Sequence, residues 1–509
     1  MKNKLAILFI VIFASTLYAL TLHGIYGNPQ PQDFKNNLDQ ASRPFELSPE
    51  RGRYAHVLAL AQTGSYALDK RLSEITYPDV GYYQDRYYSY FAPGVSYLAL
   101  PFYLLGAPYQ LGQLFTFGFV SLVSILALIF LFKICREVLN MPIWAALLSV
   151  LVFAFGSTAW SYATTLYQHH FTTLFMLSSF YAVWKYRQQG KASWLWAALV
   201  WLDYALAISV DYPNAVLLLP VMVYLTISAF QITQTEKFVK VSLRLSLLAT
   251  ACVFVALSAL HAYHNQVNFG AWSRLSGTLP GVKQLEQRQA AEIAGEAVAA
   301  PAEKSAIKFF REENLPNSFG TLFFSADRGL FFYAPIFLLA VYGIYTTIRR
   351  KRIGIERAIL FFCVAVNVFV YSSWGDPWGG WAYGPRYLIP SMAILAIFTS
   401  VGILNAPRLL PAKIIAFLLF LYSSGIGLLG VLTTNAVPPK IEADFLHMKY
   451  NFLLNLDFLK HNQSASFFYN TFTGNELSVW QYFLILYGVL GVAAFLLLFI
   501  FGKKQAYAD

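Results

Sequence analysis

Apolar runs of about 18 to 22 residues recur along the whole chain and constrain its fold more than any other feature. A helix rises about 1.5 Å per residue and a hydrocarbon core is about 30 Å thick, so each run can cross it. In lipid every backbone amide must be satisfied inside its own segment, which makes such a chain a helical bundle. Twelve spans are read, at about 4–22, 113–132, 142–160, 169–185, 193–210, 212–230, 243–262, 329–348, 356–373, 386–404, 413–432 and 480–501. A shorter stretch, Val95 to Leu105, is marked by Pro93 and Pro101 and is too short to span. It predicts a helix that lies at the interface or re-enters. The expected fold class is all-α and polytopic: about 12 transmembrane helices plus an interfacial or re-entrant helix, in one transmembrane domain over 1–509.

Charge sets the expected orientation. The chain is 57% hydrophobic and 12% charged, far from a soluble average. With the N-terminus inside, 19 of the 37 Lys and Arg fall on inner connections, among them Arg349-Arg350-Lys351-Arg352, with only four of the 26 Asp and Glu. Every short inner loop is basic, as the positive-inside rule requires. The pI near 9.3 is thus an orientation signal, and no nucleic-acid partner is read from it. The first segment, Leu5 to Leu22 after Lys2 and Lys4, reads as an uncleaved anchor, because no small-x-small site follows it. Cys135 lies at an inner helix end and Cys252 and Cys363 within spans, so no disulfide framework braces the outer loops. The expected location is a prokaryotic plasma (inner) membrane, multi-pass, with both termini cytoplasmic.

All the large hydrophilic segments fall on the outer side: 23–110, which holds juxtamembrane helices, 263–328, an aromatic loop at 374–385, and 433–479. The inner connections read as turns. Val282 to Lys308 is polar, helix-favouring and poor in aromatics; it predicts a surface helix or flap and is assigned no chemistry. Transporters keep their chemistry at the bilayer midplane, between helices. A long polar loop directly after the first span points instead to chemistry at the surface.

Within that loop, Ser48-Pro49-Glu50-Arg51 reads first as a helix start, with Ser48 as N-cap, Pro49 at the first position and Glu50 favoured by the dipole. A second reading adds that a carboxylate held just above a membrane can act as a general base on a hydroxyl or amine. Downstream, Asp85 to Gly94 reads either as an aromatic-belt turn or as the lead into a proline-marked interfacial helix. Tyr167-Gln168-His169-His170 places two histidines at a helix end, where they are either simply hydrated or serve as ligands or proton carriers. Asp211 stands at the outer end of a span, whereas Asp203 lies inside one and is expected to pair within the bundle. In Trp374 to Tyr387, glycines and prolines forbid a continuous helix. Its Trp and Tyr rings, including Tyr383, offer flat faces for sugars, Asp376 can meet sugar hydroxyls, and Arg386 offers a fork for a phosphate. A purely structural belt loop is the other reading.

Pro49-Glu50-Arg51-Gly52-Arg53-Tyr54-Ala55, followed by Ala59 and Thr63-Gly64, resembles the segment after the first span in GT-C glycosyltransferases, in particular the protein O-mannosyltransferase and lipid A aminoarabinose transferase branches. There the pattern is roughly Pro-Asp-Glu-x-Arg-Tyr-Ala and the Asp is catalytic. Glu50 falls on that Asp, Arg51 on the following Glu, and Arg53 and Tyr54 on Arg and Tyr. The Tyr87–Gly94 segment with Tyr88, the 374–387 loop, His264-Asn265 and Ser325 to Leu330 are similar to further segments of the group. The resemblance implies a GT-C-like fold and transfer of a sugar from a polyprenyl-phosphate-linked donor on the outer face. It implies Glu50 as catalytic base, and Arg386, Asp376, Tyr383, Arg53, Tyr54 and Tyr88 as donor-binding residues. Asp39, His169, His170 and Asp211 are secondary candidates, with Asp33 a rival acid. No cofactor is assigned, and a divalent metal ion is left open because the family's second acid stands here as Arg51. Membrane lipid is a partner; the sugar and the acceptor, whether glycan, lipid or protein, are not named by the resemblance. The alternatives are a non-catalytic lipid-linked-glycan binder or transporter, and a polysaccharide polymerase or ligase.

The orientation is tested by single cysteines in a background lacking Cys135, Cys252 and Cys363. Trp378→Cys should react with a membrane-impermeant maleimide in intact cells, and Lys351→Cys only after permeabilisation; the reverse pattern inverts the topology.

Overall fold

The computed structural model describes residues 2–34, 41, 43–188, 193–234, 239–282, 310–406, 409–439, 442 and 452–503. Asp39 and 283–308 of the polar stretch lie outside them. The first nine helices are α1 (Lys2–Leu20), α2 (Ser48–Thr63), α3 (Lys70–Thr76), α4 (Gly94–Gly106), α5 (Gly112–Lys133), α6 (Ile143–Phe155), α7 (Ala159–Ala163), α8 (His169–Arg187) and α9 (Ser193–Val210). Among the described residues, eight helices are long and apolar enough to cross a membrane: Lys2–Leu20, Gly112–Val138, Ser193–Val210, Ser246–Phe269, Ile355–Ser372, Arg386–Asn405, Leu410–Leu432 and Val479–Ile500. Shorter apolar helices, Ile143–Phe155, Asn214–Ala229 and Pro335–Arg349, fall on three more expected spans, and α8 falls on the remaining one. The chain is a polytopic all-α protein, as its apolar runs require.

Helix Arg386–Asn405 is 89% buried and forms the axis of the bundle, whereas Ser246–Phe269 is 11% buried and peripheral. The outer surface of the peripheral helix is built of Val255, Leu260 and Val267, apolar side chains that suit lipid better than water. Two glycines let helix Leu338–Arg349 press on Ile389–Asn405. A Cβ on Gly343 would lie 1.9 Å from the Phe398 carbonyl oxygen, and one on Gly402 would lie 2.4 Å from that of Leu339. Small residues at a crossing bring backbones close enough for dispersion to act where water offers no drive. Asp203 pairs inside the bundle as expected, accepting from the Ser178 hydroxyl of α8.

The described residues of the first loop are folded rather than loose. Every residue of α2 from Pro49 to Ala59 is buried, charged ones included, so its polar side chains must find partners inside the protein. Ser48 is not the N-cap: the helix starts at Ser48 itself, after Leu47, and the Ser48 hydroxyl donates to Asp79 Oδ2 at 2.5 Å. The hydroxyl's proton goes to the Asp79 carboxylate, a charge-assisted bond that holds the side chain away from the helix end. The Asp85 region is not a bare turn: it is a hairpin that leads into the proline-marked helix α4. Strands β1 (Val80–Tyr83) and β2 (Arg86–Ser89) pair antiparallel around Gln84 and Asp85, whose φ values of 45° and 58° make the tight turn that right-twisted strands favour. Ser89 N–H donates to His56 Nε2 at 3.0 Å and His56 Nδ1 bonds the Tyr66 carbonyl at 2.8 Å, which makes His56 neutral; burial pulls its pKa down to about 3. Then α4, with Pro101 inside it, lies across α2 and α5 and leaves Tyr97, Leu104 and Leu105 exposed. A second strand pair, Phe230–Gln234 with Val239–Leu243, stands where only a turn was expected.

Gly343→Val should lower stability in detergent by about 1–3 kcal/mol, because a backbone oxygen cannot move aside for the new Cβ. Gly488→Val, where nothing lies within 4 Å, should leave the melting temperature unchanged.

Candidate functional site

Three segments distant in sequence meet at one end of the bundle: the start of α2, the turn into α8 together with Asp211, and the Trp374–Tyr387 loop. Glu50 sits in the first turn of α2 and is 1% exposed. Its Oε2 accepts from the Glu46 N–H at 2.8 Å, and its Oε1 is buried with no hydrogen-bond partner among the described residues. Glu46 is itself buried, and both its oxygens accept from the Asn435 N–H at 3.0 Å. Burial is the main cause that pushes the Glu50 carboxyl up to about 8; the Glu46 charge adds to the shift, and Arg43 and Arg51 oppose it. A carboxyl poised in this way is a stronger proton acceptor than an ordinary glutamate.

Next to it, Arg53 is 1% exposed. It donates through Nη1 to the Pro49 carbonyl at 3.0 Å and through Nη2 to Gln168 Oε1 at 2.7 Å, with its guanidinium 4.7 Å over the Phe91 ring. Gln168 Nε2 passes the link on to Asp211 Oδ2 at 3.2 Å. Burial draws Arg53 down to about 10, with Asp211 the largest opposing influence, and burial raises Asp211 against the pull of Arg53. The relay holds a cation rigidly in place in a site that could not otherwise solvate it.

Arg386 completes the group. Its Nη2 donates to the Gly379 carbonyl at 2.6 Å, its guanidinium carbon lies 5.7 Å from the Tyr167 ring centre and 5.5 Å from that of Tyr387, and the side chain is partly exposed. Tyr167 lies between the acids and this arginine: burial holds its hydroxyl well above the tyrosine range, Glu50 adds to that, and Arg386 opposes it. His169 stacks on Tyr167 at 6.1 Å and meets Tyr387 edge-on at 6.3 Å, and its Nε2 is buried without a partner among the described residues. His170 turns away, its Nε2 donating to the Ala159 carbonyl at 2.8 Å.

The fold therefore gathers Glu50, Arg53, His169, Asp211 and Arg386 and sets other sequence candidates apart. Tyr54 packs between Phe45 and Tyr103, with ring centres 4.7 and 5.9 Å away. Tyr88 lies in a separate apolar cluster with Tyr66, Phe269 and Leu279. Tyr383 donates its hydroxyl to the Ile426 carbonyl at 2.7 Å and packs on Tyr333. Asp376 is exposed and closes its own turn, accepting from the N–H groups of Trp378 at 3.1 Å and Gly380 at 2.6 Å. Asp33, the rival acid, is exposed in a short 3₁₀ turn and accepts from the Gln30 N–H.

Two residues given no role by the motif reading, Arg328 within the Ser325–Leu330 segment and Glu46 outside any motif, hold this arrangement. Arg328 is fully buried and donates to the carbonyls of Trp378 (3.2 Å), Gly380 (3.1 Å), Val437 (2.9 Å) and Asp327 (2.9 Å), pinning the aromatic loop to the 433–439 segment. Gly379, at φ 71°, leaves room for Arg386, whose Nε would lie 3.0 Å from a Cβ there. Glu46 is the second passed-over residue; its only signal in the sequence is an acid four positions before Glu50. Among the described residues no three His, Cys, Asp or Glu side chains are placed to hold a metal ion. Arg328→Ala should strand buried carbonyls and lower stability by more than about 3 kcal/mol, read as a large fall in melting temperature.

No family model and no curated protein matches the chain. Solved structures do. ArnT from Cupriavidus metallidurans bound to undecaprenyl phosphate is 13% identical, with a TM-score of 0.47 over 96% of this chain and 77% of that one. Its apo state is 12% identical, with a TM-score of 0.45 over 98% and 78%. The archaeal oligosaccharyltransferase AglB from Archaeoglobus fulgidus, in complex with an inhibitory peptide and a dolichol-phosphate, is 13% identical, with a TM-score of 0.42 over 94% of this chain and 59% of that one.

Proposed function

We propose that this chain is a GT-C-type glycosyltransferase that moves a sugar from a polyprenyl-phosphate-linked donor to an acceptor on the outer face of the membrane. The observation that carries the reading is Glu50: a buried carboxylate with one uncommitted oxygen, grouped with the partly exposed cation Arg386. Acid–base chemistry needs the first, and a departing phosphate needs the second. The motif resemblance of the Pro49–Ala55 segment supports the lipid-phosphate donor.

Glu50 Oε1 takes the proton of the acceptor hydroxyl as its oxygen attacks the anomeric carbon. The new carbon–oxygen bond forms while the bond from that carbon to the phosphate oxygen breaks, and the phosphate leaves with the electron pair. Arg386 neutralises the charge that develops there, an interaction stronger in the transition state than in the ground state. A single displacement inverts the anomeric configuration. Arg53, held by Gln168 and Asp211, keeps a second positive charge beside the site without moving. Because burial keeps the Glu50 proton on up to about pH 8, transfer should rise as pH increases from 6 to 9 and flatten once the carboxylate is formed.

The test is transfer by the purified protein in lipid, supplied with radiolabelled polyprenyl-phosphate hexoses and a membrane acceptor fraction. Wild type should move label; Glu50→Gln should lose about 10²–10⁴-fold in rate and Arg386→Ala about 10²–10³-fold. Binding of the lipid-linked sugar without transfer would replace this reading with that of a binder.

A further inference from the structure

We infer that Glu46 is a positioning residue: it locks the Glu50 carboxylate in place and couples it to the 431–437 segment, an inference that rests on Glu50 acting as the base. The Glu46 N–H occupies Glu50 Oε2 at 2.8 Å, so only Oε1 is left for a substrate proton, and its direction depends on where the Glu46 backbone sits. The Glu46 side chain is anchored in turn by the Asn435 N–H, which both its oxygens accept at 3.0 Å.

That anchor is well fixed. Asn435 Nδ2 donates to the Ser161 carbonyl at 3.2 Å, and Arg43 Nη2 to Thr434 Oγ1 at 2.9 Å. Asn455 Nδ2 donates to Thr433 Oγ1 at 2.8 Å and to the Thr434 carbonyl at 2.7 Å, while His23 Nε2 donates to the Val431 carbonyl at 2.5 Å. Side chains from three distant parts of the chain thus converge on one short stretch of backbone, and Glu46 carries that stretch's position to the base.

A neutral side chain would do for anchoring alone, since a second buried acid carries a desolvation penalty. The charge of Glu46 has a different consequence: it disfavours the charged form of its neighbour and so strengthens Glu50 as a proton acceptor. Among the described residues, the other charged or titratable groups facing the pair are Arg43 and Arg51 around Glu50, Tyr167 near both acids, Tyr162 near Glu46, and His23, whose Nδ1 is 4.0 Å from Glu46 Oε1.

The experiment compares wild type with Glu46→Gln, which keeps size and one carbonyl acceptor, and Glu46→Asp, which keeps the charge and shortens the reach. Each is followed by pH–rate profile and by infrared titration of the carboxylic-acid band that Glu50→Gln removes. Glu46→Gln should move the alkaline-rising limb and the infrared midpoint down by about one pH unit and lower the plateau rate several-fold. Glu46→Asp should lower the rate with the midpoint within about half a unit of wild type. Equal losses of rate with both midpoints unmoved would overturn the inference and leave Glu46 a structural residue. If Glu46→Gln fails to fold, a midpoint in Glu46→Asp displaced by a full unit or more overturns it, and an unmoved midpoint with reduced rate supports it. A wild type that never transfers, but whose infrared midpoint falls in Glu46→Gln, supports the coupling and overturns only the reading of the reaction.

Discussion

Charge buried at the loop-bearing end of the bundle is the constraint on which the rest of this structure depends. Arg328, Arg53, Glu46 and Glu50 are almost wholly removed from solvent. A buried ion is tolerated only where hydrogen bonds or opposite charge meet it. Arg328 is met by four carbonyls, Arg53 by a carbonyl and a relay to Asp211, and Glu46 by the Asn435 amide. These bonds hold α2, the turn into α8, the aromatic loop and the 433–439 segment together. The segments become one site because their charges have nowhere else to be satisfied.

The same electrostatics divide the labour within the site. Glu50 is the acid of this group whose charged form is most disfavoured, first by burial and then by the second acid beside it. Arg386 is the cation that keeps some exposure. Between them lies Tyr167, buried and influenced by both. Polar groups elsewhere in the first loop are spent on the scaffold: His56 ties α2 to the hairpin, and Ser48 is bound to Asp79.

The helices that fall on the expected spans were legible because a hydrocarbon core demands continuous apolar length, a property read residue by residue. Glu50, Arg53 and Arg386 were legible as motif positions, and His169 and Asp211 by their places at helix ends. Tyr54, Tyr88 and Tyr383 show where that reading stops. An aromatic residue in a motif has the same composition whether its ring faces a ligand or a neighbour, and here the rings pack on Phe45, Phe269 and Tyr333. The β1–β2 hairpin escaped notice for a related reason: Gln84 and Asp85 are not the Asn-Gly or Gly-Gly pair that announces such a turn, yet they adopt its positive φ values.

By itself the sequence determined that this protein is a polytopic helical bundle, because hydropathy is a local quantity that accumulates along a chain. It also placed an acid just after the first span and an arginine at the end of an aromatic loop. Tertiary structure alone decided that these two belong to one cluster, that His169 joins it while His170 turns away, and that Glu46 stands beside Glu50 held by an amide nearly four hundred residues on. Such pairings depend on burial and distance between remote segments, and neither quantity exists until the helices have packed.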